Sequence, residues 1–155
     1  MSDGLLIAII GAALAAILPG IGSAIGVQMG GKAAAGVLSE KPELFGKLLI
    51  LQALPGTQGI YGFLIAILLM VQIGMFGGNP INLTEAQGWS YFGACMPITI
   101  VGLISAIYQA KTAVSAIHIV AKQPEASAKG MTMVALVETY AILALLASIL
   151  ILTGL

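Results

Sequence analysis

The charged residues of this chain are few and stand in short groups that separate four long apolar stretches. Each stretch exceeds the roughly 20 residues that a helix needs to cross a bilayer. Because lipid offers the backbone no hydrogen-bond partners, helices are the expected structure. The pattern therefore predicts an all-α membrane protein with four transmembrane helices, at about residues 4–38, 44–76, 85–121 and 126–153.

The composition agrees with a lipid environment and narrows the possible functions. Of 155 residues, 59% are hydrophobic and 8% are charged, whereas about a quarter of the residues of a soluble domain are charged. The formal net charge is +0, and no basic patch suggests nucleic acid. Cys95 is the only cysteine, which excludes an intrachain disulfide and a cysteine metal cluster. The first stretch is interpreted as a retained span and not as a signal peptide. Met-Ser-Asp-Gly at 1–4 carries no positive charge, and the apolar run that follows is too long for the hydrophobic region of a signal peptide.

Short polar breaks separate the stretches and indicate an orientation. Two are alike, Ser-Glu-Lys-Pro-Glu at 39–43 and Lys-Gln-Pro-Glu at 122–125, and the third is Gly-Gly-Asn-Pro-Ile-Asn at 77–82. The positive-inside rule predicts that the Pro-Glu loops are cytoplasmic and that both termini lie outside. All the lysines lie in or toward those two loops: Lys32, Lys41, Lys47, Lys111, Lys122 and Lys129. Lys32 and Lys111 lie about two turns or more inside their helices, so either they snorkel to the headgroups or the helices extend beyond the bilayer.

The two halves of the chain are repeats of one helical hairpin. A shift of 82 positions needs no gap, and it superimposes Ser-Ala-Ile at 23–25 on 105–107 and Pro-Glu at 42–43 on 124–125. Both halves run in the same direction, unlike the inverted repeats of many transporters. We therefore expect a first hairpin at 1–78 and a second at 79–155. The shift places Gly56 opposite Glu138, so one carboxylate serves four helices.

Glu138 is the acidic residue set deep inside a span. It follows Lys129 by nine residues, which places it about 13 Å into a hydrocarbon layer about 30 Å thick. A carboxylate at this depth costs several kcal/mol unless it is protonated or paired. The position predicts a site that holds a cation or a proton.

Polar residues on the second and third spans can surround this carboxylate. Leu54, Thr57, Gln58 and Tyr61 share one helical face, and Pro55 loosens the helix so that a carbonyl can point outward. Gln109 adds an amide from the third span. Together these groups offer about five oxygens, as a hard cation such as Na⁺ prefers, whereas a proton needs one acceptor. The alternatives are a proton site, or glutamine and threonine side chains that merely join helices.

The first span is rich in small residues. Gly22, Gly26 and Gly30 stand four apart, as in the small-xxx-small packing motif. This spacing favours close packing of the first and third spans with each other and with copies of the chain in a tight inner ring. The alternative is an ordinary tight pair inside one bundle. His118 is interpreted as an interfacial or packing residue, and Cys95 as a small apolar filler.

These features together resemble the proteolipid, or rotor-ring, subunit K of V-type ATPases, in its bacterial Na⁺-transporting branch. The resemblance covers essentially the whole chain. Its most specific parts are Leu-Pro-Gly-Thr-Gln-Gly-Ile-Tyr-Gly at 54–62, Gln109, and Val-Glu-Thr-Tyr-Ala-Ile-Leu at 137–143.

The resemblance implies a homo-oligomeric ring in a bacterial plasma membrane, with the first and third helices inside and lipid around it. Each copy would bind one Na⁺, and Tyr61 would donate a hydrogen bond to Glu138. The ring would turn against a stator subunit with an essential arginine, and a central stalk would dock on the cytoplasmic loops. ATP would be hydrolysed in a separate soluble head, in agreement with a chain that shows no catalytic motif. The implied Na⁺ ligands are the Leu54 carbonyl, Thr57, Gln58, Gln109 and Glu138. The alternatives are the same ring carrying H⁺, or a structural or pore-forming oligomer.

Overall fold

The computed structural model describes residues 2–155, and all of its regular structure is helical. Within these residues, four helical segments are long and apolar enough to cross a membrane, as the sequence predicted. The second segment contains two α-helices, Phe45–Ala53 and Thr57–Gln72, which are joined by a short 3₁₀ turn. The four spans are Asp3–Leu38, Pro42–Gln72, Glu85–Lys122 and Pro124–Thr153.

Side-chain caps fix where the first and third spans begin. The Ser2 hydroxyl accepts a hydrogen bond from the Leu5 N–H at 3.4 Å. Thr84 and Gln87 form a capping box, in which the Thr84 hydroxyl accepts from the Gln87 N–H at 3.3 Å and Gln87 Oε1 accepts from the Thr84 N–H at 3.0 Å. Each cap satisfies N–H groups that have no partner inside the helix.

The second span ends at Gln72, four residues before the end expected from the apolar pattern. Gly74 adopts φ of 74°, and its N–H bonds the Val71 carbonyl while the Met75 N–H reaches back to Met70, each at 3.0 Å. This pair of bonds is the Schellman arrangement that closes a helix at a left-handed glycine. The apolar run continues into the loop, so hydrophobicity alone did not locate the end.

The first and third spans pack side by side, with the second span against the first and the fourth against the third. Two apolar clusters form the core. One lies toward the termini and includes Ile65 and Ile98, and the other lies toward the Pro-Glu loops and includes Leu48 and Val134. The polar residues of the candidate site lie along the chain between these two clusters.

Gly22, Gly26 and Gly30 lie inside this four-span unit and are buried. A Cβ on Gly22 would stand 2.7 Å from the Leu103 carbonyl oxygen, and one on Gly26 would stand 2.7 Å from Pro55 Cβ. These glycines let the second and third spans approach the first, so the predicted close packing of the first and third spans is confirmed. The expectation that they also pack copies of the chain against one another in a ring stays a prediction.

Two lysines connect the Pro-Glu loops of the two hairpins. Lys41 Nζ donates to the Ala121 carbonyl at 2.6 Å, and Lys47 Nζ donates to the Pro124 carbonyl at 2.9 Å. A lysine at the C-terminal end of a helix meets carbonyls that lack partners within that helix. These bonds hold the two loops together at one end of the unit.

Candidate cation-binding site

The second span is interrupted at the depth where the sequence predicted a site. Residues Leu54–Gly56 form a 3₁₀ turn between two α-helices, because Pro55 has no N–H and its ring clashes with the preceding turn. The Thr57 hydroxyl lies 3.0 Å from the Leu54 carbonyl oxygen and 3.4 Å from Gln58 Oε1. Three oxygens of different kinds therefore converge on one point of the second span.

Gln58 and Gln109 join the second and third spans at the centre of the unit. Both are 0% exposed, and Gln58 Nε2 donates to Gln109 Oε1 at 2.6 Å. Gln109 Nε2 in turn donates to the Val134 carbonyl and to Glu138 Oε2, each at 3.2 Å. The two amides thus link the oxygens of the first hairpin to the carboxylate of the second.

Glu138 is half-buried on the fourth span. The hydrogen bond that the sequence predicted from Tyr61 is present, since the Tyr61 hydroxyl donates to Glu138 Oε1 at 2.6 Å. Gln109 donates to the other carboxylate oxygen. Two donors thus hold the two carboxylate oxygens in place.

Ser23 of the first span supports the interrupted segment. Its buried hydroxyl accepts a hydrogen bond from the Gly59 N–H at 2.8 Å. Gly59 follows Gln58 directly, so this bond fixes the backbone next to a candidate ligand. A Cβ on Gly59 would stand 3.3 Å from Ser23 Oγ, so a larger residue there would crowd the hydroxyl.

Sequence reasoning missed Ser23 and the Val134 carbonyl. Ser23 stands in the glycine-rich run that was interpreted as packing, and nothing in that run distinguishes a hydroxyl that bonds another helix. Val134 precedes Glu138 by four residues and so lies on the same helical face. That spacing could have indicated its carbonyl, but it does not identify Gln109 as the donor.

The arrangement has the chemistry of a site for a small hard cation. It contains a carboxylate, two amides, a hydroxyl and a carbonyl, the oxygen donors that such cations prefer. None of the described buried side-chain polar atoms lacks a hydrogen-bond partner. The oxygens are therefore already hydrogen-bonded, to the Thr57 and Tyr61 hydroxyls and to the two glutamine amides.

Comparison with known proteins places this chain in a family. The profile of the ATP synthase C-subunit family matches residues 10–69 and, again, residues 92–151. The chain belongs to the ATP synthase C-subunit family. The two matched segments differ by the same 82 positions as the repeat seen in the sequence, which confirms two tandem copies of the family's hairpin.

Two relatives extend the comparison over nearly the full length of the chain. It is 46% identical over 149 residues to the V-type sodium ATPase subunit K of Enterococcus hirae, which covers 96% of this chain and 92% of that protein. It is 38% identical over 154 residues to the A-type ATP synthase subunit K of Methanocaldococcus jannaschii, which covers 99% of this chain and 65% of that protein.

Proposed function

We propose that this chain is a rotor-ring subunit of a V-type ATPase, which binds one Na⁺ per copy beside Glu138 and carries it across the membrane. The observation that supports this most directly is the network around Glu138, where Tyr61 and Gln109 hold the carboxylate at 2.6 and 3.2 Å. The similarity to a V-type sodium ATPase subunit K over 96% of the chain supports the same ion and machine.

Each site residue has a distinct part in this proposal. Glu138 supplies the negative charge, and the Leu54 carbonyl, Thr57, Gln58 and Gln109 supply neutral oxygens around the ion. The hydroxyl of Thr57 already lies close to two other oxygens, so the second span contributes a preformed part of the shell. Gln58 and Gln109 would turn their amide oxygens toward the ion. Tyr61 holds the carboxylate and does not touch the ion.

Charge balance explains how such a site could move through lipid. A bound Na⁺ cancels the carboxylate, so the loaded site is nearly neutral and can face hydrocarbon as the ring turns. An empty, ionised carboxylate is costly in lipid and would be held beside a positive charge. The essential arginine of a stator subunit is the partner we propose for that step.

The remaining assembly follows from the orientation. The lysine-rich Pro-Glu loops would be cytoplasmic and both termini outside, in the plasma membrane of a bacterium. The central stalk would dock on those loops, which Lys41 and Lys47 already hold together. ATP would be hydrolysed in a separate soluble head, and this chain would carry the ion without a catalytic role.

Carbodiimide labelling of Glu138 tests the ion directly, because the reagent modifies a carboxyl group that is free of metal. We expect Na⁺ at fixed pH to protect Glu138 in the assembled ring. Glu85, which lies at the exposed start of the third span, is the control and should gain no protection. Protection that depends on pH and not on Na⁺ would replace Na⁺ by H⁺ in the proposal. An unreactive Glu138 under all conditions would favour a structural or pore-forming oligomer.

A further inference from the structure

The second hairpin carries a groove that the ion site does not use. It lies between the third and fourth spans and has a volume of about 350 Å³; we call it the open groove. Its lining is Val101, Ile104, Ser105, Tyr108, Val137 and Tyr140. The shift of 82 positions gives the equivalent lining in the first hairpin, which is Pro19, Gly22, Ser23, Gly26, Pro55 and Gln58.

The equivalent groove of the first hairpin is filled by the second hairpin. A Cβ on Gly22 would stand 2.7 Å from the Leu103 carbonyl oxygen and 3.2 Å from Ala106 Cβ. Gln58 donates to Gln109 Oε1 in the same contact. One side of the second hairpin therefore occupies a groove in the first, while the same groove in the second hairpin is left open within the described residues.

The other sides of the two hairpins show the reverse difference. Ala106 and Ala110, on the side of the second hairpin that enters the first, are 0% exposed. The equivalent residues of the first hairpin are Ala24 and Gln28, and both are exposed. Exposed apolar residues are ordinary on helices that face lipid, so exposure alone decides nothing here. The observation is that each hairpin has the same two sides and that only one side of each is covered.

The step that relates the first hairpin to the second can be repeated. A contact between two different surfaces is head-to-tail, and it generates a ring where the rotation closes. A second copy of this chain is therefore the occupant that fits the open groove. In that copy, the side chains that take the places of Leu103, Ala106 and Gln109 are those of Ile21, Ala24 and Val27.

Tyr140 is the residue at which the two contacts differ most. It takes the place of Gln58, but it is 66% exposed, whereas Gln58 is 0% exposed. Because Gln58 reaches Gln109, Tyr140 would reach Val27 of the next copy. Beside Val27 is open space over Gly56. Val27 Cγ2 is 3.3 Å from a Cβ built on Gly56, and among the described residues no other atom outside the adjoining helix lies within 4 Å of that Cβ.

We propose that the open groove receives the first span of the next copy, and that Tyr140 of one copy fills the space over Val27 and Gly56 of the other. Helices in lipid associate largely through close packing, and an aromatic ring opposite a glycine provides it. Gly56 is the repeat equivalent of Glu138, so the uncharged half of the repeat is packed with a side chain and leaves no room for a second ion. This inference rests on the proposed ring.

Photo-crosslinking from position 140 tests the contact in the assembled ring. Tyr140 is replaced by p-benzoylphenylalanine, an aromatic residue that inserts into adjacent C–H bonds on illumination. We expect covalent dimers and larger oligomers on denaturing gels, with the link located by peptide mass spectrometry in residues 21–27 or 54–57 of another copy. The matched control is the same replacement of Ile142, which is 41% exposed and points about 200° around the helix from Tyr140. It should give no links between copies.

A compensating pair of substitutions tests the fit itself. Gly56→Leu should clash with the neighbouring Tyr140 and lower the temperature at which the ring dissociates. Adding Tyr140→Ala should raise that temperature again, whereas crowding against Val27 within one copy would not be relieved. Tyr140→Phe keeps the aromatic ring and should match the wild type. Gly46→Leu is the control, because Gly46 is an exposed glycine of the same span with nothing within 4 Å of its added Cβ, so Tyr140→Ala should not raise its dissociation temperature.

Three results would overturn the contact. One is a set of links from position 140 that stay within one chain, and another is an equal yield of links between copies from position 142. The third is a Gly56→Leu ring that Tyr140→Ala does not restore. If Gly56→Leu does not assemble, the links from position 140 decide.

The same preparations separate this inference from the proposed function. Native mass spectrometry reports whether a ring forms, and Na⁺ protection of Glu138 reports the ion site. A ring that protects Glu138 but gives no links between copies from position 140 overturns only the contact. A ring that gives these links without Na⁺ protection overturns the Na⁺ site and leaves the contact. A chain that forms no ring overturns both.

Discussion

The two hairpins have the same scaffold and differ in the side chains at one contact. In the second hairpin, Gln109 donates to Glu138 at 3.2 Å. The corresponding residues of the first hairpin are Val27 and Gly56, and Val27 Cγ2 lies 3.3 Å from the place where a Cβ on Gly56 would stand. The same backbone approach thus supports a hydrogen bond in one hairpin and an apolar contact in the other.

The hydroxyls of the two hairpins are also used differently. Ser23 accepts from the Gly59 N–H of the second span at 2.8 Å, whereas Ser105 donates within its own helix to the Gly102 carbonyl at 3.4 Å. The reason lies in Pro55, which interrupts the second span, while the fourth span is continuous from Ser127 to Thr153. A broken helix needs an external acceptor, and a continuous one does not.

A third pair shows which parts the hairpins share. Thr57 and Thr139 occupy equivalent positions, and each donates to the carbonyl three residues before it, at 3.0 and 2.7 Å. Their neighbours differ, because Gln58 is 0% exposed and Tyr140 is 66% exposed. The first hairpin therefore contributes only neutral oxygens, and the second contributes the charge together with the Gln109 amide. The candidate site needs both.

Removing the charge should have the largest effect, because it makes the second hairpin as uncharged as the first. In Glu138→Gln the side chain keeps its shape and can still accept the Tyr61 hydrogen bond. We expect ATP-driven uptake of radioactive sodium into vesicles to fall to background while the ring still assembles. Glu125→Gln, in an exposed loop, should retain uptake. Uptake at the wild-type rate by Glu138→Gln would refute the central role of this carboxylate.

Gln109→Val gives the second hairpin the residue that the first has at Val27. It removes the donor to Glu138 and the hydrogen bond to Gln58. Hydrogen bonds to charged groups contribute about 1.5–3 kcal/mol, so the Na⁺ concentration that protects Glu138 from carbodiimide should rise about tenfold to a hundredfold. Gln58→Ala should act in the same direction.

The control is Gln72→Ala. Gln72 Nε2 also joins the second span to the fourth, since it donates to the Leu152 carbonyl at 3.0 Å. This bond is remote from the site, because Gln72 lies far along the second span from Gln58 and Leu152 lies far along the fourth span from Glu138. An equal loss of Na⁺ affinity in this variant would show that any bond between the two spans matters, and not the ligand set.

Gly56→Glu tests whether the first hairpin could hold a charge. The carboxylate would face Val27 without a donor, so we expect the ring to lose about 2.5–3.5 kcal/mol of stability, seen as a lower temperature of ring dissociation. Adding Val27→Gln should restore part of it by supplying an amide. Gly56→Ala is the control for the added Cβ. If Gly56→Glu is as stable as Gly56→Ala, partners must already exist at this position.

The smallest expected effects are those of Ser23→Ala and Ser105→Ala, which remove equivalent hydroxyls of the two hairpins. Loss of one neutral hydrogen bond costs about 1 kcal/mol, so Ser23→Ala should weaken Na⁺ protection of Glu138 about fivefold by loosening the backbone beside Gln58. Ser105→Ala removes only a weak bond inside one helix and should change it less. Equal effects of the two variants would remove Ser23 from the site's support.

Helix count, repeat and family could be predicted from the sequence because each depends on local pattern. Apolar length predicts a span whatever its neighbours are, and a shift of 82 positions needs no coordinates. The break at Pro55 was also predictable, since a proline alters its own helix wherever it stands. The end of the second span was not, because Gly74 adopts its left-handed conformation inside a run that remains apolar.

The residues that sequence assigned to the candidate site do come together, but their partners could not be read from spacing. Gln109 was chosen as a polar residue in a span, yet its bonds to Gln58, Val134 and Glu138 join three helices. The glycines of the first span were assigned to close packing, and the structure shows that within one copy they face the second and third spans. Spacing indicates which face a residue occupies but not which helix covers that face.

The sequence by itself determined four membrane spans, a duplicated hairpin and a single mid-span carboxylate among candidate oxygens, because hydrophobic length and repeat register are properties of the chain alone. The tertiary structure decided that Tyr61 and Gln109 hold the two oxygens of Glu138 and that Ser23 secures the interrupted helix. These depend on how helices distant in sequence are rotated and set in depth against one another. That arrangement is fixed by packing over the whole unit and by no local pattern.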